Sequence, residues 1–156
     1  MRVLFRGKAQ FDGYGYKEGD WFFGNLIEEI RPDYYINPKT NGRKIAVCME
    51  TVSQYTGLKD CNGNDIFEGD ILEEAVPEIK EAPARAICLY DYEECRYWPF
   101  FATGESMSPE DFFHNDMVKV IGNIWDNKEL YHQIEEQHQE EYYQEMKELH
   151  GDLESL

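Results

Sequence analysis

Little in this sequence can hold a metal, enter a membrane or track a phosphate backbone. Its four cysteines, Cys48, Cys61, Cys88 and Cys95, form no C-x-x-C pair, so neither a zinc knuckle nor a thioredoxin-type redox site is suggested. In a reducing cytoplasm they read as free thiols, with Cys48 and Cys88 in apolar runs as small core residues and Cys61 in a turn. No apolar run approaches the roughly 20 residues that a membrane helix needs. The start, Met1-Arg2-Val3-Leu4-Phe5-Arg6, lacks the apolar stretch of a signal peptide, so the expected location is cytoplasmic. Basic side chains are scarce as well, 15 against 32 acidic ones, for a net charge of −17. Counterion release from phosphates requires clustered Lys and Arg, and direct nucleic-acid binding is therefore disfavoured.

Reactive constellations are missing too. The histidines, at 114, 132, 138 and 150, have no H-E-x-x-H or other ligand spacing. Asp60-x-Asn62-x-Asn64 repeats the opening of a calcium loop, but Asp65 stands where that loop needs glycine and Ile71 where it needs a bidentate glutamate. There is no G-x-S-x-G. Ser106 and Ser108 precede a helix in a capping role, and only Lys59 stands near Cys61 to favour a thiolate. Gly57, Gly63 and Gly69 fall on turns rather than opening a helix, so no phosphate loop is formed. Carboxylates are too numerous for any one pair to be informative. No catalytic, metal or cofactor-binding residue is assigned, and a non-enzymatic protein without cofactor is the expectation.

What is present is a β-rich globular composition, 42% hydrophobic and 15% aromatic in 156 residues. That length suits one domain burying about two thirds of its unfolded surface. Short runs of β-branched and aromatic residues predict strands over 2–6, 21–30, 34–37, 44–50, 65–67, 70–75, 85–91, 96–102 and 117–124. Short strands at close spacing suggest a barrel or coiled-sheet architecture. Asn62-Gly63 is expected to form a type I′ hairpin turn between paired segments, and Glu68-Gly69-Asp70 a second reversal. Pro38 to Gly42 and Glu74 to Pro83 read as loops. Ser108-Pro109-Glu110-Asp111 opens a short helix near 108–114 whose Phe112 and Phe113 seal one end of the sheet. Asp126-Asn127-Lys128-Glu129 resembles a capping box at the head of a long helix ending near His150-Gly151. Its apolar stripe, Leu130, Ile134, Tyr142, Met146, Leu149 and Leu153, is thin, with a gap at His138. Such a stripe fits three placements: on the barrel, against a neighbouring subunit, or in solvent.

The run Gln54-Tyr55-Thr56-Gly57-Leu58-Lys59-Asp60-Cys61-Asn62-Gly63-Asn64-Asp65-Ile66-Phe67-Glu68-Gly69-Asp70-Ile71 resembles the YopX family of phage and prophage proteins, whose pattern is close to QYTGLKDKNGKEIYEGDI. Phe5-Arg6-Gly7-Lys8, the stretch Trp21 to Ile27, and Val120-Ile121-Gly122-Asn123-Ile124-Trp125-Asp126-Asn127 agree with it too. The residues that carry the resemblance, Tyr55, Thr56, Gly57, Asp60, Asn62, Gly63, Glu68, Gly69, Asp70, Gly122 and Asn123, form a structural motif. The resemblance implies coiled antiparallel sheets around an SH3-like or split barrel and no known reaction. It spans roughly residues 1 to 131, and the strand-rich body and the helix start together predict a barrel domain over 1–127 and an acidic helix and tail over 128–156, so the whole is mainly β in an α+β arrangement.

From residue 128 onward eight Glu and one Asp face two lysines. Aromatics gather at Tyr14, Tyr16, Trp21, Phe22 and Phe23, and again at Tyr90, Tyr92, Tyr97, Trp98, Phe100 and Phe101. Base-stacking platforms need positive charge beside them, and Arg85 and Arg96 are nearly alone. Core packing plus a subunit interface accounts for them better. Trp21, Tyr97, Trp98, Tyr142 and Met146 are the candidate interface residues. The expected function is that of a phage-type accessory protein whose partners are copies of itself and a host or phage protein. The alternative is an acidic DNA mimic that inhibits a host nucleic-acid enzyme.

Overall fold

Runs rich in β-branched and aromatic residues, broken by Gly, Asn and Asp, favour strands. In the computed structural model, which describes residues 3–30, 33–38, 42–75, 83–104, 108, 110–114 and 116–154, they build two antiparallel sheets. The strands are β1 (Phe5–Lys8), β2 (Trp21–Glu28), β3 (Tyr34–Asn37), β4 (Ile45–Val47), β5 (Ser53–Lys59), β6 (Asp65–Phe67), β7 (Asp70–Glu74), β8 (Arg85–Asp91), β9 (Arg96–Thr103) and β10 (Val118–Asn123). Helix α1 (Lys128–Glu154) follows. One sheet has the order β4-β3-β2-β1-β5-β6 and the other β10-β7-β8-β9. The mainly β class with a long C-terminal helix is as the sequence predicts. Among the described residues both sheets stay open, with β4 and β6 at the edges of one and β9 and β10 at those of the other, so no closed barrel forms.

Several details differ from expectation. The strand expected over 44–50 stops at Val47, because Cys48 leads into a 3-10 turn at Met49–Thr51. There the Thr51 hydroxyl and Thr51 N–H both donate to the Cys48 carbonyl, at 2.7 and 3.0 Å. The short helix near 108–114 is one 3-10 turn, Asp111–Phe113, with Phe112 fully buried. Residues 39–41 and 76–82 of the two expected loops, Ser106 and Pro109 lie outside the described residues, as do the side chains of His150 and Leu153. Among the described residues no helix is long and apolar enough to cross a membrane.

The chain packs as two compact units. The first is Met1–Leu58 with Asp65–Glu68, and the second Lys59–Asn64 with Gly69–Leu156. In the first, Ala9, Ile36, Ile45, Val47, Ile66 and Phe67 are buried. In the second, Ile71 of β7, Ile87 of β8 and Ile134 of α1 form the core, and Leu89, Phe101, Ile121, Ile124, Leu130 and Tyr131 pack against it. Period-2 alternation places Ile71 and Ile87, which are register partners, on the helix-facing side of the sheet. Two bulges aim side chains into this core. In β9 both Phe101 and Ala102 oppose Ala86 alone, and Phe101 takes φ +53. Its ring then meets Tyr131 edge-on at 6.5 Å. In β10 Ile121 is the extra residue between Val120 and Gly122.

Candidate functional site

The residues of the family-like motif are largely occupied with one another. The Tyr55 ring lies 5.7 Å from that of Phe67. The Thr56 hydroxyl donates to the Ile66 carbonyl at 2.8 Å and, reaching past Gly57, accepts the Leu58 N–H at 3.2 Å. Glu68 N–H donates to the Gln54 carbonyl, 3.0 Å away.

The turn itself corrects the type I′ expectation. Gly63 N–H donates to the Asp60 carbonyl (3.0 Å) and Asp60 N–H to the Asn64 carbonyl (2.8 Å). Gly63 alone in the turn has a positive φ, +81, while Asn62 does not. A type I′ turn requires positive φ at both central residues, so this is a type I turn closed by a glycine bulge, one residue longer. Asp60 decides the matter. Its buried carboxylate accepts the N–H groups of Asn62 (2.9 Å) and Asn64 (2.8 Å) and the Asn64 side-chain amide (3.2 Å), which organises the longer loop.

The same carboxylate accepts Val120 N–H at 2.9 Å, and Cys61 N–H donates to the Val118 carbonyl at 2.9 Å. Residues 60 and 61 thus cover the outer side of β10, an edge that would otherwise present unpaired backbone groups. Burial pushes the Asp60 carboxyl up, but the hydrogen bonds from Val120, Asn64 and Asn62 outweigh it and leave the group below its ordinary value.

Gly69 and Gly122 mark close approaches. Gly69 sits at φ +85, and a Cβ there would run into the Trp125 ring. Its N–H donates to Cys88 O and its carbonyl accepts Ile124 N–H. Asp70, beside it, is buried. A Cβ on Gly122 would strike the Asn127 amide. Asn123 Oδ1 accepts the N–H groups of Trp125 (3.1 Å) and Asp126 (2.9 Å), turning the chain into α1. Asn127 points its Oδ1 back to Asn123 N–H (3.1 Å) while its own N–H donates to the Asn123 carbonyl (3.0 Å), so reciprocal bonds tie 123 to 127 at the head of α1.

Sequence reasoning missed Arg6. It is buried, donates to Ser53 Oγ (3.0 Å) and the Glu68 carbonyl (3.1 Å), and lies between the rings of Trp21 and Phe67, each 4.7 Å from its guanidinium carbon. No local signal marks it, since the rings that cover it come from positions 21 and 67. Trp21 is therefore engaged within its own unit, by Arg6 and by Lys8 at 5.4 Å.

Tyr97 and Trp98 lie on β9, opposite Tyr90 and Leu89. The Tyr90 ring meets Tyr97 edge-on at 5.2 Å and Tyr92 at 5.1 Å, and Arg96 covers Trp98 at 3.8 Å. Tyr92, at the hairpin tip, is 82% exposed.

Along α1 two behaviours follow each other. The gap seen in sequence at His138 is filled: its ring meets Phe101 at 5.8 Å and its Nδ1 donates to the Ala102 carbonyl at 2.9 Å. Glu141 accepts Gly104 N–H at 3.1 Å. From Tyr142 to Leu149 every side chain is exposed. Tyr142 and Met146 share a face four residues apart, distant in sequence from Tyr97 and Trp98.

These groups have little to offer as reagents. Tyr131 donates to Glu135 at 2.6 Å, and that bond, with burial and the carboxylate charge, pushes its phenol up to about 12. Glu73 is raised by burial, but hydrogen bonds and charge from Lys119 (3.0 Å) and Arg85 (2.8 Å) bring it below its ordinary value. Among the described residues no three His, Cys, Asp or Glu side chains stand together as a metal set.

The sequence model of a family described as YopX protein matches residues 8–132. Among solved structures, protein EF1440 from Enterococcus faecalis is similar, with 23% identity, a TM-score of 0.50, and coverage of 83% of this chain and 98% of that one. At this identity the likeness concerns the fold. No curated protein matches the chain.

Proposed function

The chain belongs to the YopX protein family, and on that premise we propose that it is a phage-type accessory protein that catalyses no reaction, associates with copies of itself and acts by binding another protein. The observation that carries this reading is the ordered aromatic ladder of the β8–β9 hairpin, Tyr90, Tyr92 and Tyr97, with Arg96 stacked on Trp98 at its side. Rigid aromatics held edge to edge provide contact area at low entropic cost, which is why they are enriched where proteins meet. Light scattering from a few to about a hundred micromolar should show more than one chain per particle, and Tyr92→Ser with Tyr97→Ser should shift the mass towards the monomer. A strictly monomeric wild-type chain over that range would remove self-association from the reading.

The DNA-mimic alternative draws on α1, whose exposed end carries Glu145 and Glu148. The two readings part on salt. Capture of a host partner by charge alone falls steeply with added salt, because exposed charges are screened beyond about 8–10 Å. Capture through aromatics changes little.

A further inference from the structure

The end of α1 is built like an element with a place to go. Ile134 marks the face that packs on the sheet. Glu141, Glu145 and Glu148 follow it at seven, eleven and fourteen positions, close to whole turns of about 3.6 residues. The packed face thus continues as a row of carboxylates, which cannot pack on an apolar sheet, and the helix is released after Glu141. Tyr142, Met146 and Leu149 stand one position beyond each acid, forming a separate apolar stripe about a quarter turn round the helix. They are 59%, 36% and 61% exposed. A helix end surrounded by water draws nothing from tertiary packing, the main source of helical stability in proteins.

We infer that residues 142–149 are a docking helix for a partner protein that presents an apolar groove rimmed by lysine and arginine. The inference rests on the protein-binding reading above and names the chemistry of the partner. Charge complementarity selects it. Glu145 and Glu148 line one flank of the stripe and Lys147 the other. A second copy packed antiparallel would bring one row of glutamates against another in a chain whose net charge is already −17, whereas a rim basic on that flank would face Glu145 and Glu148 while the groove takes Tyr142, Met146 and Leu149.

The test uses the full chain and two synthetic amphipathic helical peptides with the same leucine face, one with a Lys/Arg rim and one with a Glu rim, titrated by calorimetry at physiological salt. The basic-rimmed peptide should bind at least about tenfold more tightly than the acidic one, and Tyr142→Ser with Met146→Ser should weaken it about tenfold again, a 1.4 kcal/mol step each time. Hydrogen exchange should slow over 142–149 on binding, and the variant's unfolding midpoint should match the wild type. Equal binding to wild type and variant would reduce the effect to charge adsorption and overturn the inference. So would protection confined to other residues, or a wild-type dimer that the double substitution dissociates. If neither peptide binds while the chain still self-associates through Tyr92 and Tyr97, docking by α1 is wrong and the protein-binding reading stands.

Discussion

The turn at 60–70 and the end of α1 treat their side chains in opposite ways. At the turn, Asp60 is buried and spends its carboxylate on Asn62, Asn64 and Val120, and Gly69 lies against Trp125 with no room for a Cβ. Beyond Glu141 each described side chain faces water, large apolar ones included. The region most recognisable in sequence is the one whose motif side chains are most engaged within the chain, because Asp60, Gly63 and Gly69 are each demanded by a backbone angle or an internal bond. The region with most to offer has the loosest requirements and hence the least distinctive sequence.

The largest expected effect lies at the turn. Gly69→Val combines a β-branched residue at positive φ with a clash on the Trp125 ring, and should cost about 4 kcal/mol in urea denaturation. A midpoint near wild type would mean that the ring moves freely and the turn is less constrained than its geometry states. Asp60→Ala, which strips the acceptor from Val120, Asn62 and Asn64, should cost about 3 kcal/mol. The charge can be isolated with Asp60→Asn. Because the folded carboxyl lies below its ordinary value, its stabilisation is complete above the unfolded value of about 4 and is lost as pH falls through the folded one. The stability gap between wild type and Asp60→Asn should therefore narrow as pH drops below about 4. A gap that stays constant would leave geometry, not charge, as the cause.

Gly63→Val should cost about 1–2 kcal/mol, less than Gly69→Val, since only the angle and not the space opposes it. At the other region, Leu149→Ser should move stability by no more than about 0.5 kcal/mol. A loss there as large as that of Asp60→Ala would erase the contrast and show that the helix end is covered.

Short apolar runs bounded by charged or turn residues were legible to the residue: Tyr34–Asn37, Asp65–Phe67 and Arg85–Asp91 have the bounds expected. Segment Ser53–Lys59 was harder. Gln54-Tyr55-Thr56-Gly57 has no apolar alternation, and only the hairpin signal beside it pointed to pairing. The turn type was misread because Asn-Gly is a strong local cue, whereas the deciding contact, Asp60 to Val120, joins residues 60 positions apart. Arg6 was overlooked because a charged side chain in a strand is ordinarily solvated. Its burial depends on rings from Trp21 and Phe67, which no local window brings together. Of the candidate interface residues, helical spacing alone linked Tyr142 to Met146. It could not tell that Ile134, counted in the same stripe by sequence, is core on a face about a quarter turn away.

The chain passes from one compact unit to the other at 58/59, 64/65 and 68/69. During synthesis, then, the first unit emerges without β6, its edge strand, and must wait until the residues that cover β10's outer side have also been made. Neither unit can be excised by a single cut, and a truncation after residue 58 would leave β5 as an unpaired edge exposed to other nascent chains. The first unit can therefore close only once residue 68 has been made, ten residues after its main segment ends and with the turn that belongs to the second unit already between its parts.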